Sequence, residues 1–351
     1  MAARLRRQGR GRELVLGFGG DVNLGGCIDQ SLPHNVPDAT SRAAARRLQQ
    51  RHPLLQRGMR TAEVWGDCVG DLQAHLTAVS LVSPFTLHAQ RSRAAGGGLK
   101  PETQRSHPLN VEALVDANID FVSLANGHSL DFREDGLFDT WEALAAAGVA
   151  HAGAGEDASS ALKPVVLRAL GRRIAFFAVS AAGCGLRDAG GQEMWAADER
   201  RTGVAFFDLW DERLHAEHLR ELGEAVRRTR EAQRVTLVVV SVCWGSVGAD
   251  GRPLASGAVP PAMSAFAHGL VDVAGAQLVH GHGVGHVCSS GQGDDSFRPL
   301  PLSPPSAPSR ACFSFPLHEP PLLPTPLAAD AWCRGVQWRP HSLLLWQCPR
   351  R

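Results

Sequence analysis

A layered α/β sandwich is the fold this sequence predicts, and two observations carry the expectation. Short apolar runs alternate with amphipathic, helix-like stretches through most of the chain, the pattern of strands and helices packed in layers. Several of those apolar runs also stop abruptly at Asp, Asn, Gly or His. Open α/β sheets deliver polar side chains in this way, at the carboxyl ends of their strands. No internal repeat is visible.

The first strand is expected over 13–20 and ends in Gly19, Gly20 and Asp21. Residues 42–60 are rich in Arg, Gln and Leu and read as a solvated amphipathic helix. A second apolar run covers 76–85, and a loop over 91–108 follows, marked by Gly96, Gly97 and Gly98. A helical pattern over 110–118 leads into IDFVSLA at 119–125, which ends in Asn126, Gly127, His128 and Asp131. Helical periodicity resumes over 134–149, where Glu134 and Asp135 suit the positive end of a helix. RIAFFAVS at 173–180 reads as a strand, with a loop containing Gly183, Gly185, Gly190 and Gly191 after it. A charged helix is expected over 208–234, with Leu209, Leu214, Leu219, Leu222 and Val226 as its inner stripe. VTLVVVSV at 235–242 is the strongest strand signal and runs into Cys243, Trp244 and Gly245, the Trp reading as core. Residues 263–274 read as a helix, and 277–279 lead into HGHGVGH at 280–286. A Pro-rich stretch at 296–309 separates this body from two expected terminal strands, 310–315 and 342–347.

The 351 residues suffice for one large domain or two ordinary ones. At 44% hydrophobic and 20% charged, the composition is that of a soluble globular protein. A net charge of +1 supplies no field that would draw nucleic acid. Arg4, Arg6, Arg7, Arg10 and Arg12 precede an apolar run, LVLGFGG, that Asp21 cuts short. That run is too short for a signal-peptide core or a bilayer span, and no later window supplies about 18 uninterrupted apolar residues. A cytoplasmic location without membrane anchor is the expectation. The eight cysteines are scattered and never form CxxC, which fits reduced intracellular thiols and argues against a zinc ribbon or disulfide scaffold.

Four strand ends carry candidate ligands: Asp21; Asn126, His128 and Asp131; Cys243; and His280, His282 and His286. Taken singly each has a bland reading, since Asn-Gly is a common turn and a lone histidine is usually packed or solvated. Three histidines within seven residues, interleaved with glycine, are harder to dismiss. Imidazole with carboxylate suits Zn, Mn or Fe better than Ca. A paired-metal site would clamp a phosphate ester and activate water, leaving His128 to protonate the departing alkoxide and Asp131 to orient His128.

The order GGDVNLGG, LANGHSLD with DTWEALAAAGVAHAGAGED, VVVSVCWG and GAQLVHGHGVGH resembles the CapA family of poly-γ-glutamate capsule biosynthesis proteins over about residues 13–290. The resemblance implies a calcineurin-like metallophosphatase fold, a four-layer α/β/β/α sandwich in one domain. On that reading 13–295 form the body, 296–309 a loop, and 310–351 contribute strands that complete the same domain. It implies a divalent metal (Zn, Mn or Fe) held by Asp21, Asn126, Cys243, His282 and His286, with His128 and Asp131 catalytic. It also implies a small-molecule or polymer substrate, and polyglutamate or cell-surface polymer machinery as partners.

The departures from the family blocks bear on activity. Where the family has NLE, this chain has Ser80-Leu81-Val82, and Val cannot bind metal. The Asn directly before the His of ANNH is Gly127, and the His of HWG is Cys243, which can still ligate zinc as thiolate. The last block keeps His282 and His286 but carries Gly283-Val284-Gly285 between them. Three readings follow: a relative with a partly degenerate site, weakly active or non-catalytic; an active metal-dependent phosphoester hydrolase; and an α/β protein whose histidines are incidental.

Overall fold

The computed structural model describes residues 14–51, 58–70, 72, 74–92, 104–181, 195–245, 260–283, 312–315 and 344–347. The first strand, β1 (Leu14–Val22), is longer than the apolar run predicts and carries Asp21 inside it. Its pairing register slips between Phe18 and Asp21, a bulge of the kind that re-aims a side chain beside a site. Helix α1 (Ala39–Arg51) follows, and a 3-10 segment spans Thr61–Gly70. β2 (Leu76–Leu81) is wholly buried and stops short of the predicted 85, where Phe85 makes only an isolated bridge to Ser106.

The expected helix over 110–118 is a 3-10 turn, Pro108–Val111, running into the short α2 (Glu112–Asp116). β3 (Phe121–Ser123) is shorter than the run 119–125, because the Asn126 N–H turns back onto the Leu124 carbonyl at 2.9 Å and ends the ladder. α3 (Arg133–Ala147) then closes at Gly148, whose φ of +65° is the left-handed cap that glycine favours. Five small elements that no period announced come next or nearby: β4 (Ala150–Ala152), β5 (Ala154–Gly155), α4 (Ala158–Ala161) and β6 (Val165–Ala169), with β8 below. β7 (Arg172–Ser180) matches its predicted strand, and β8 (Gly203–Val204) pairs with β5.

α5 (Glu212–Gln233) begins after Asp211, whose carboxylate accepts from the Arg213 N–H. Leu219, Leu222 and Val226 are its buried stripe, while Leu209 is buried ahead of the helix. β9 (Leu237–Cys243), α6 (Pro261–Asp272) and β10 (Leu278–His282) follow. β10 extends beyond the expected 279, so His280 and His282 lie in the strand itself and not in a loop after it. Two short strands, β11 (Cys312–Phe315) and β12 (Leu344–Gln347), complete the described chain. The glycine-rich segment at 96–98, the loop at 183–191, the Pro-rich stretch and His286 fall outside the described residues.

The result is a mixed α/β fold with two mainly parallel sheets. One sheet is ordered β11-β1-β2-β3-β4 and the other β12-β10-β9-β7-β6, with β11, β12 and β6 joining antiparallel. Alternation along the strands divides the core into three parts. Leu14, Leu16, Phe18 and Phe121 of the first sheet share a cluster with Ile174, Phe176, Ala178 and Val239 of the second. The Phe121 and Phe176 rings stack there at 4.7 Å, a geometry worth about 1 kcal/mol beyond burial. Val79, Leu81, Val122 and Leu124 pack with Leu114, Leu137 and Leu144 of the helices α2 and α3. Phe177, Val238, Val240 and Val242 pack with Leu222 and Phe266 of α5 and α6.

Candidate functional site

The carboxyl ends of β1 and β10 meet between the two sheets. His282, with no exposed surface, directs its Nδ1 to within 3.3 Å of Asp21 Oδ1. The two atoms sit at ion-pair distance, yet neither has a hydrogen-bond partner. Asp21 as a whole keeps 27% of its side-chain exposure, so one oxygen is buried against His282 while the group opens to solvent. Burial works to raise its carboxyl, but contact with and charge on His282, the Ser80 hydroxyl and the charge on His128 outweigh that and hold it below the usual carboxylate value.

Behind His282 lies a buried polar chain. The Ser241 hydroxyl is 3.1 Å from His282 Nε2 and 3.0 Å from His280 Nδ1, and His280 Nε2 is 2.8 Å from the Gly19 carbonyl of the opposite sheet. The parallel register explains the alignment: His280 pairs with Ser241 and His282 with Cys243, so all four side chains share one face. Complete burial, with the charge of His282, pushes His280 down to about 3, against the pull of Gly19 and Asp21, and keeps it neutral.

The second group rises from the turn after β3. His128 Nδ1 donates to Asp131 at 3.0 Å; Asp131 is fully buried, whereas His128 keeps 35% exposure. Asn126 is committed to the scaffold: its amide nitrogen donates to the Leu81 carbonyl at 2.9 Å and reaches Ser80 at 3.4 Å, and its oxygen accepts the His128 N–H at 3.0 Å. Since Ser80 is the ladder partner of Asp21, Asn126 ties the His128 turn to the strand end that bears the carboxylate.

Cys243 is nearly buried beside His282 in the ladder. Gly283 adopts a φ of +85°, and a Cβ there would come within 2.5 Å of the Cys243 sulfur, so the chain leaving β10 turns hard against the thiol. Asp21, His282, His128 and Asp131 are thus gathered at one rim, with Cys243 adjoining and Asn126 supporting. Among the described residues no three His, Cys, Asp or Glu side chains form a group with metal-holding geometry. Sequence reasoning left Ser80 and Ser241 out and named His280 only as one of a histidine run. A signal existed: Ser241 is a lone hydroxyl in the apolar run LVVVSV at 237–242, two positions before Cys243, just as His280 lies two before His282.

The model of the bacterial capsule synthesis protein family PGA_cap matches residues 15–290. The chain belongs to that family. Two proteins from strains of Mycobacterium tuberculosis, each named a probable polyglutamine synthesis accessory protein, are 34% identical to it over 281 residues, 77% of this chain and 68% of theirs. A crystal structure of a hypothetical protein from Thermus thermophilus covers 79% of this chain and 69% of that one at 14% identity, with a TM-score of 0.32. In this PGA_cap member the matched span includes Asp21, Asn126, His128, Cys243, His282 and His286. Within the described residues no helix is long and apolar enough to cross a membrane.

Proposed function

We propose that this PGA_cap protein is an accessory factor of a poly-γ-glutamate-type capsule or cell-surface polymer assembly, with a partly degenerate metallophosphoesterase site that seats one divalent ion and is at most weakly catalytic. The polymer part is supported by family membership and by the mycobacterial relatives, named probable polyglutamine synthesis accessory proteins. The three core clusters favour a four-layer α/β/β/α arrangement of the metallophosphoesterase kind, with helices outside and two sheets within.

One observation carries the metal part. Asp21 Oδ1 and His282 Nδ1 are buried, lack hydrogen bonds and stand 3.3 Å apart. Two ligands about 2.1 Å from a tetrahedral ion are separated by about 3.4 Å. The donor set, one carboxylate and one imidazole, suits Zn, Mn or Fe. Cys243 adjoins as a thiolate candidate, and His286, outside the described residues, remains a proposed ligand. A second ion lacks its donors: Val82 and Gly127 stand where the family has a carboxylate and an amide.

When bound, such an ion would supply Lewis-acid polarisation of an anionic substrate oxygen. The remaining chemistry belongs to the protein. Asp131 holds the His128 proton at Nδ1 and so orients a partly exposed imidazole that can give or take a proton at a leaving oxygen. Asn126 holds the backbone of His128 in place for that task.

Metal analysis of the purified full chain tests the reading. Close to one equivalent of Zn or Mn is expected, lost in Asp21→Ala and His282→Ala, with slow aryl-phosphate hydrolysis at most. Metal retained in both variants would reject the assigned donors. Rapid hydrolysis abolished by the same substitutions would favour the active phosphoester hydrolase instead.

A further inference from the structure

His280 is absent from the proposed donor set, yet it is completely buried and links the two sheets. We propose that His280 and Ser241 are positioning residues whose hydrogen-bond chain fixes His282 as the Nε2–H tautomer, so that its bare Nδ1 faces Asp21 and the pair becomes a cation seat. This rests on the reading of Asp21 and His282 as metal donors.

The direction of the chain is set at its far end. A carbonyl only accepts, so the contact with Gly19 requires a hydrogen on His280 Nε2. Among the described residues no carboxylate is hydrogen-bonded to the His280 ring, and full burial opposes a second proton on it. His280 Nδ1 therefore offers a lone pair and accepts the Ser241 hydroxyl hydrogen at 3.0 Å. A hydroxyl has a single hydrogen. With that hydrogen committed, Ser241 can only accept from its other neighbour, and His282 Nε2, 3.1 Å away, must donate. In a neutral imidazole the remaining nitrogen is then bare. While His282 is neutral, its Nδ1 and Asp21 Oδ1 are two acceptors 3.3 Å apart, an arrangement that repels until a proton on Nδ1 or a metal ion lies between them. Metal-binding histidines commonly have their other ring nitrogen fixed by an outer partner in this way. Here that partner is a serine whose own orientation is dictated by a second histidine.

A purely space-filling trio would leave the Ser241 hydroxyl free to point either way, and that difference is measurable. Imidazole nitrogen shifts of His282 are read by long-range proton–nitrogen NMR on the metal-free full chain at mildly alkaline pH. An Nε2–H ring is expected, with Nδ1 the nitrogen that moves when zinc alone is added. His280→Leu removes the acceptor for the Ser241 hydroxyl and should let it turn toward His282. The His282 proton is then expected on Nδ1, with zinc affinity about tenfold lower. His280→Asn retains an acceptor near the position of the imidazole Nδ1 and should restore the wild-type tautomer. An Nδ1–H ring in the wild type overturns the proposal, whether or not the variants fold, and so does an unchanged tautomer in His280→Leu. An Nε2–H ring in a protein that binds no zinc supports the hydrogen-bond chain and overturns the metal reading instead.

Discussion

The two carboxylate–histidine pairs at the rim are mirror images in burial. At the end of β10 the histidine is sealed in and the carboxylate opens to solvent, with 0% and 27% exposure for His282 and Asp21. At the turn after β3 the carboxylate is sealed and the histidine opens, with 0% and 35% for Asp131 and His128. The contacts differ accordingly. His128 and Asp131 are hydrogen-bonded at 3.0 Å, whereas His282 and Asp21 are 3.3 Å apart without hydrogen-bond geometry. In each pair one member is sealed in the core and the other is open to solvent. On the proposed function, one pair would offer an oxygen to a cation, and the other an imidazole for proton transfer.

That contrast fails most visibly if the buried members do not carry stability. His282→Ala empties a sealed site and strips Ser241 of a partner, so it should cost about 2–4 kcal/mol in urea unfolding with chelator present. Its metal affinity should also fall by at least about 100-fold, since a donor is lost outright. A cost under about 1 kcal/mol would mean that His282 is not anchored as described. Asp131→Asn keeps the shape but weakens one buried hydrogen bond, so about 1–2 kcal/mol is expected. The NMR titration of His128 should change with it, and an identical curve would remove Asp131 as the orienting group.

Asp21→Asn sharpens the comparison through pH. The folded carboxyl is held below its ordinary value, and the unfolded one titrates near about 3.9. The stability it contributes is therefore complete above about pH 4 and disappears as pH falls through the lower folded value. With metal removed, the variant should be less stable than the wild type near neutral pH, and the two should converge in acid. A gap of constant size would show that the ionised carboxylate is not what stabilises this strand end.

The longer strands were legible because each contains a run of apolar residues, β-branched or aromatic in β7 and β9. The candidate residues at strand ends stood out by contrast: Asp21, His128 and His282 end or follow apolar runs with groups that are costly to bury. What escaped was short or disguised. The β6–β7 hairpin turns through Leu170 and Gly171 at φ of +48° and +74°, and a leucine there gives no turn signal. β4 has only three residues, fixed by pairing with β3 and not by any period of its own. Ser241 and His280 were hidden for a different reason. Their importance comes from the register that sets β9 beside β10, a relation between segments that neither segment states alone.

The smallest effect on stability belongs to the open histidine. The His128 side chain keeps 35% exposure, so Gln in its place should change unfolding free energy by about 0.5 kcal/mol or less. Any metal-dependent turnover of an aryl phosphate should nevertheless fall by about 100-fold or more, the usual contribution of a positioned acid or base. Metal content should stay as in the wild type, because His128 influences Asp21 through its charge and is not among the proposed donors. The three measurements together separate the halves of the rim. Lost turnover with intact fold and metal assigns proton transfer to His128. Unchanged turnover would move the chemistry to the Asp21 side, and lost metal would make the two pairs a single ligand set.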